Sequence, residues 1–268
     1  MNRSVLILLI SALSPIVNAL DQRPVLSLVI DDLGYSFKQG AAAIELPGDH
    51  TYAIIPGTLY GRKLAEFARL KSKEVILHLP LQASSISASS ESNTLNESMN
   101  EDQITENTLK MLSEFPNIKG INNHMGSRLT EIDYFMRPIM ESIKSFSSKL
   151  YFLDSRTSSR SIAYYQAKNS GLDSIRRDVF LDNEHGNIES LRLQFKTWLL
   201  KARRRGSAVA IGHPHKSTIS FLTEYLPRAE KFFRFKNISA LIATDKEDSN
   251  VESESALISN LELNGLKH

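Results

Sequence analysis

With 268 residues, 41% hydrophobic and 23% charged, the chain has the size and balance of one large α/β domain, which excludes a disordered chain and a membrane bundle. Its 32 basic and 30 acidic side chains leave a net charge of +2, so no strong field draws it to nucleic acid. It has no cysteine; disulfides, thiolate metal sites and cysteine nucleophiles are excluded together, and any metal must be held by histidine and carboxylate.

The first nineteen residues read as a secretory signal peptide: an early Arg3, an apolar run from Val5 to Leu13, the helix breaker Pro15, and Val17-Asn18-Ala19 before the cut. The run is shorter than the roughly 20 residues of a spanning helix, so cleavage near Ala19 and an exported chain with no later transmembrane segment are expected. Residues 20–245 then read as one domain and residues 246–268 as a polar tail.

Short segments rich in Val, Ile and Leu alternate with segments of helical period, the signature of repeated β-α units on a parallel sheet. Strands are expected at Val25 to Ile30, Thr51 to Ile55, Val75 to Leu79, Ile118 to Asn122, Leu150 to Leu153, Asp178 to Leu181, Ala208 to Ile211 and Ala240 to Ala243. Helices are expected near Ser36 to Ile44, Arg62 to Leu70, Asp102 to Phe115, Asp133 to Phe146, Ser159 to Lys168, Ile188 to Arg205 and Leu222 to Lys231. The clearest is Ile188 to Arg205: Asn187 can cap its start, Arg203 to Arg205 suit its C-terminal dipole, Gly206 follows, and the spacing of Leu191, Phe195, Trp198 and Ala202 puts Trp198 in the core. Ala83 to Asn100, full of Ser and Asn, reads as a surface loop directly after the strand that bears His78.

Polar residues gather where these strands end. The first runs into Asp31-Asp32-Leu33-Gly34, and two adjacent carboxylates there must meet solvent, a cation or a donor, unless one caps the next helix. His78 closes the third strand before Pro80, Asn122-Asn123-His124 closes the fourth, and His213-Pro214-His215 follows the strand Ala208 to Ile211. Four of the seven histidines thus stand at strand C-termini, the edge where β/α folds build their sites. Asp154-Ser155-Arg156 adds a carboxylate and a guanidinium that either binds an anionic group or pairs with Asp154, and Asp182-Asn183 ends another strand. These groups suit metal-assisted hydrolysis: imidazoles and a carboxylate hold a divalent ion, a second carboxylate takes a proton from water, and a histidine protonates the leaving group.

Ile30 to Tyr35, His78 to Leu81, Gly120 to Ser127, Leu153 to Thr157, Arg177 to Asn183 and Gly212 to His215, in that order, closely resemble the motifs of the divergent polysaccharide deacetylase family (YibQ-like), itself similar to the NodB-type deacetylases. The resemblance implies a distorted (β/α) barrel of about seven parallel strands with a divalent metal, Zn²⁺ by preference, at its C-terminal rim. It implies Asp31 as the base, Asp32 and His78 as metal ligands, and His213 or His215 as the acid. Two departures stand out. Gln82 occupies the place of the family's second metal histidine, so either His124 replaces it from the next strand, the favoured reading, or the metal is weaker or absent; and Asn122-Asn123-His124 fills the region of the usual Arg-Pro-Gly segment. With Asn123, Asp154, Arg156 and Asp182 facing substrate, the expected activity is deacetylation of an N-acetylated polysaccharide in the periplasm. The alternative is a glycan- or partner-binding protein that keeps the fold without catalysis.

Overall fold

A computed structural model describes residues 23–85 and 93–244. The strands are β1 (Val25–Leu33), β2 (Thr51–Ile54), β3 (Glu74–Leu81), β4 (Gly120–Met125), β5 (Tyr151–Asp154), β6 (Asp173–Arg176), β7 (Val179–Phe180), β8 (Ser207–Gly212) and β9 (Arg234–Phe235). Between them lie α1 (Phe37–Ile44), α2 (Gly61–Leu70), α3 (Glu101–Ser113), α4 (Asp133–Phe146), α5 (Ala163–Asn169), α6 (Ile188–Arg205) and α7 (Lys216–Ala229). Every pairing is parallel, in the order β6-β5-β4-β3-β2-β1-β8-β7, with β9 beside the start of β1.

The two ends of that order, β6 and β7, are separated in the chain by Arg177 and Asp178 alone, so the sheet must curl on itself. The Arg177 N–H donates to the Asp154 carbonyl of β5 at 3.0 Å, and the next N–H, that of Asp178, donates to the Val209 carbonyl of β8 at 2.9 Å. One peptide step therefore joins the two edges into a distorted (β/α) barrel, the expected architecture with eight strands on the path rather than about seven.

Alternation sorts the strand residues into two cores. Val25, Val29, Ala53, Ile76, Tyr151, Leu153, Val209 and Ile211 fill the interior. Leu26, Leu28, Ile30, Leu77, Leu79 and Ala210 face outward onto helix residues such as Ile44, Leu64, Ile139, Trp198 and Leu222. β1 to β5 and β8 are buried on both faces almost throughout, which explains their continuous apolar runs. In α6, Asn187 accepts the Ser190 N–H at 3.0 Å, Gly206 ends the helix at φ 84°, and the buried Trp198 donates to the Ala208 carbonyl at 3.0 Å.

Three expectations need correction. The apolar run Ala240 to Ala243 is helical, within residues 238–244, because Asn237 caps it by accepting the Ala240 N–H at 2.9 Å; Ile238 and Leu241, three apart, then close the barrel floor. β6 and β9 are additional strands. The seventh helix starts at Lys216, ahead of the expected Leu222, and the helix expected from Ser159 starts only at Ala163. Glu74, buried at the floor, accepts from Thr51 Oγ1 at 2.8 Å, from the Tyr151 hydroxyl at 2.7 Å, and from both the N–H and the hydroxyl of Ser239 in the closing helix. The expected signal peptide, the whole polar tail and residues 86–92 of the Ser-rich loop lie outside the described residues. Among the described residues no helix is long and apolar enough to cross a membrane.

Candidate metal centre and active site

The site begins with an irregularity in β1. Ile30 pairs with Tyr52 and Leu33 with Ile54, so β1 carries one residue more than β2 between those pairs, and Asp32 takes up the excess at φ 58°. Strict alternation would send Asp31 inward and Asp32 outward; the bulge turns both carboxylates into the barrel mouth. Aspartate tolerates that left-handed conformation better than most residues. Met125 at φ 54° and Arg156 at φ 49° mark similar turns after β4 and β5, so three non-glycine residues of unusual backbone conformation ring the mouth.

Strand register supplies the rest. β3 and β4 pair His78 with Asn122, and His124 lies two residues beyond Asn122 on the same inward face. Asp32 Oδ1 stands 2.8 Å from His124 Nδ1 and 3.1 Å from His78 Nε2, and the two rings meet edge to face with centroids 4.9 Å apart. Ligand atoms of Asp32, His78 and His124 all lie within 4.8 Å of one another. Two imidazole nitrogens and one carboxylate oxygen converging at this spacing match the donor set of a catalytic zinc site with a position left open for water or substrate. Burial acts to raise the pKa of Asp32, but the hydrogen bonds with His124 and His78 outweigh it and hold the carboxyl well below its usual range. The group is ionised, as a ligand must be.

Asn122 organises this centre. Its Nδ2 donates to Asp31 Oδ1 at 2.8 Å and to Ser155 Oγ at 3.1 Å, which turns its Oδ1 toward His78 Nδ1 at 2.7 Å. An amide oxygen only accepts, so the Nδ1 of His78 carries a proton, and its Nε2 is the nitrogen turned toward Asp32. Asp31, 3% exposed, lies with Oδ2 3.6 Å from His78 Nε2. Burial raises its pKa above the ordinary carboxylate value against the pull of His78 and His213.

On the opposite wall, His213 Nδ1 meets Asp182 Oδ1 at 2.9 Å and its Nε2 faces Asp32 Oδ2 at 3.7 Å. Asp182 Oδ2 accepts from the His213 N–H and from Thr218 Oγ1, both at 2.8 Å. Burial lowers the His213 pKa, but the Asp182 hydrogen bond and the charges of Asp32 and Asp182 overcome it and lift the imidazole to about 9. His215 stands farther out, with its ring 5.7 Å from that of His213 and 4.1 Å from that of His185; burial and the neighbouring histidines lower its pKa.

Three of the four residues expected to face substrate are committed to other partners. Asp182 spends both oxygens on His213 and Thr218, behind the imidazole. Asn123, 1% exposed, donates to the Met125 carbonyl at 2.7 Å and accepts the Ser155 N–H at 2.9 Å, so it braces the turn after β4. Asp154 accepts from the Arg156 backbone N–H and from Ser161 Oγ, both at 2.8 Å, and shapes the loop after β5; its contact with Arg156 runs through the backbone. Gln82 does not join the ligands: its Oε1 accepts the Glu97 N–H at 2.7 Å and pins the returning end of the Ser-rich loop.

Two residues of the site lie inside the sequence motifs but were given no role there. Asn122 could be suspected only from its place two residues before His124, since its pairing with His78 is a matter of register. Arg177, at the barrel seam, donates to the carbonyls of Ser155 at 2.6 Å and Arg156 at 2.8 Å and stacks on Phe180. Burial lowers its pKa against the attraction of Asp31.

Comparison with known proteins places this geometry. The family model described as divergent polysaccharide deacetylase matches residues 28–242. The chain is 32% identical over 232 residues to the uncharacterized protein YibQ of Escherichia coli K12, covering 87% of this chain and 72% of that protein. It is 35% identical over 197 residues to an uncharacterized protein of Haemophilus influenzae Rd, covering 74% and 69% of the two chains. The crystal structure of the uncharacterized protein ATU2773 from Agrobacterium tumefaciens C58 shares the fold, with a TM-score of 0.76, 22% identity, and coverage of 82% of this chain and 89% of that one.

Proposed function

The chain belongs to the divergent polysaccharide deacetylase family, and from that membership we propose that it is an exported, metal-dependent hydrolase that removes acetyl groups from an N-acetylated polysaccharide or a related carbohydrate amide of the cell envelope. The observation that carries this reading is the convergence of Asp32, His78 and His124 on one point, with the Asp31 carboxyl on one side and the Asp182-backed His213 on the other.

A zinc or similar divalent ion held by Asp32, His78 and His124 would polarise the amide carbonyl and acidify water beside it. The chain's own residues supply the proton transfers. Asp31, with Oδ1 committed to Asn122, takes a proton from the attacking water on Oδ2, and its raised pKa brings it nearer the working range of a general base. His213, protonated at neutral pH and held through Nδ1 by Asp182, delivers its Nε2 proton to the sugar nitrogen as the carbon–nitrogen bond breaks. Acetate and a free amine leave; Asp31 then releases its proton and His213 takes one back from solvent. Of the two histidines after β8, His213 is the acid in this reading, because its Nε2 faces Asp32 while His215 lies behind it.

The test is elemental analysis of the purified protein, followed by acetate release from N-acetylated amino-sugar oligomers. We expect stoichiometric metal that is lost in His124→Ala, and an Asp31→Ala protein that keeps its metal and loses acetate release. Metal unaffected by His124→Ala removes the ligand set. Glycan binding that survives chelation, with no acetate released from any polymer, favours a binding protein instead.

A further inference from the structure

We infer that Asp182, His213 and His215 form a second transition-metal position beside the first. His213-Pro214-His215 follows β8 as extended chain, with His215 at φ −71° and ψ 141°. Residues two apart in extended chain point to the same side, and the two rings accordingly stack 5.7 Å apart at 27°. The loop after β7, the strand next to β8, brings Asp182 to them, and one ligand atom from each of the three residues lies within 4.8 Å of the others. The same loop carries His185, whose ring meets His215 edge to face at 4.1 Å and adds an imidazole to the corner.

Imidazoles with a single carboxylate suit zinc, copper or nickel rather than the oxygen-seeking magnesium or calcium. Access is open. His185 and His215 line a cavity of about 570 Å³ with Gln39, Lys216, Ser217 and Ser220, so an ion reaches the corner without passing Asp32, His78 and His124. Binding there displaces the proton between His213 Nδ1 and Asp182 to solvent and takes from the imidazole the carboxylate that orients it. Excess metal therefore slows the enzyme; this consequence, unlike the site itself, rests on the function proposed above.

Zinc alone is the probe, with ions per chain counted after equilibrium dialysis. Wild type should bind one ion at low zinc and a second at excess zinc. His215→Ala should bind one only, and His124→Ala should lose the other. The first ion retained in His215→Ala also shows that the variant is folded; Asp182→Asn provides an independent second variant with the same expected loss. Saturation of wild type at one ion per chain that disappears in His124→Ala, or a second ion that persists in both His215→Ala and Asp182→Asn, overturns the site. Where acetate release is measurable, excess zinc should slow wild type several-fold more than His215→Ala; equal slowing removes the inhibitory consequence. A protein that releases no acetate but still binds two ions keeps this site and loses the proposed activity.

Discussion

Asn122 shows how much of a site can depend on a side chain that performs no chemistry. Its amide holds the Asp31 carboxylate with one end and the His78 imidazole with the other, at 2.8 and 2.7 Å. Asn122→Asp replaces the donor to Asp31 with a second carboxylate and unsettles the His78 tautomer. Metal affinity should fall about 10- to 100-fold, the range for removal of a ligand's orienting partner, as read by competition with a chromophoric chelator; an unchanged affinity would remove Asn122 from the centre. A second expectation concerns pH. His213 must hold its proton to act as an acid, so the rate should fall as pH rises through about 9, and Asp31 must be free of its proton, so the rate should rise with pH through its elevated pKa. Asp182→Asn takes away the hydrogen bond that lifts His213, and the alkaline limb of the pH–rate profile should move down toward the ordinary histidine range. At this scale the sequence carried the residue types well: an Asp-Asp pair and four histidines at strand ends. It could not carry their partners. That Asp182 backs His213, or that Gln82 binds Glu97, depends on how neighbouring loop segments fold against one another.

Among the elements, those with a strong period were legible and those made by context were not. Ile188 to Arg205 has a cap, a stripe and a terminating glycine, and it is a helix over that span. Asp173-Ser174-Ile175-Arg176 lacks any apolar alternation and becomes a strand because β5 offers it an edge. Ala240-Leu241-Ile242-Ala243 is too short for its apolar character to separate strand from helix; Asn237 and the vacancy at the barrel floor decide for helix. The hold on that helix is measurable. Glu74→Ala leaves the Thr51 and Tyr151 hydroxyls and the Ser239 N–H without their acceptor and should cost about 3 kcal/mol. A urea midpoint lowered accordingly, with metal content at the far end of the barrel unchanged, is the expected result; a midpoint within error of wild type would mean that Ile238 and Leu241 hold the helix without the carboxylate.

For the molecule as a whole, the barrel and its working edge could be read from the order of the motifs, whereas the closure between Arg177 and Asp178 could not, since it needs the curvature of the sheet. Acid stability has its own marker in His50, buried against Phe235 with Nε2 2.8 Å from the Pro47 carbonyl. Burial lowers its pKa to about 4, with that carbonyl opposing. Unfolding lets His50 bind a proton near its ordinary pKa of 6.5, so its contribution is complete above that value and is lost as pH falls toward 4, about 3 kcal/mol in all. His50→Gln should flatten that part of the stability–pH curve in denaturant titrations; a slope equal to wild type would assign it to other groups. The floor that His50 helps to build is also where the described chain enters and leaves. Arg23 Nη1 donates to the Glu230 carbonyl at 2.8 Å, Pro24 accepts the Arg234 N–H at 3.0 Å, and residues 238–244 close the base. Both ends of the described chain, residues 23 and 244, therefore stand at the pole opposite His78, His124 and His213. A tether at either end would hold the body by its base and leave the mouth turned away from the point of attachment.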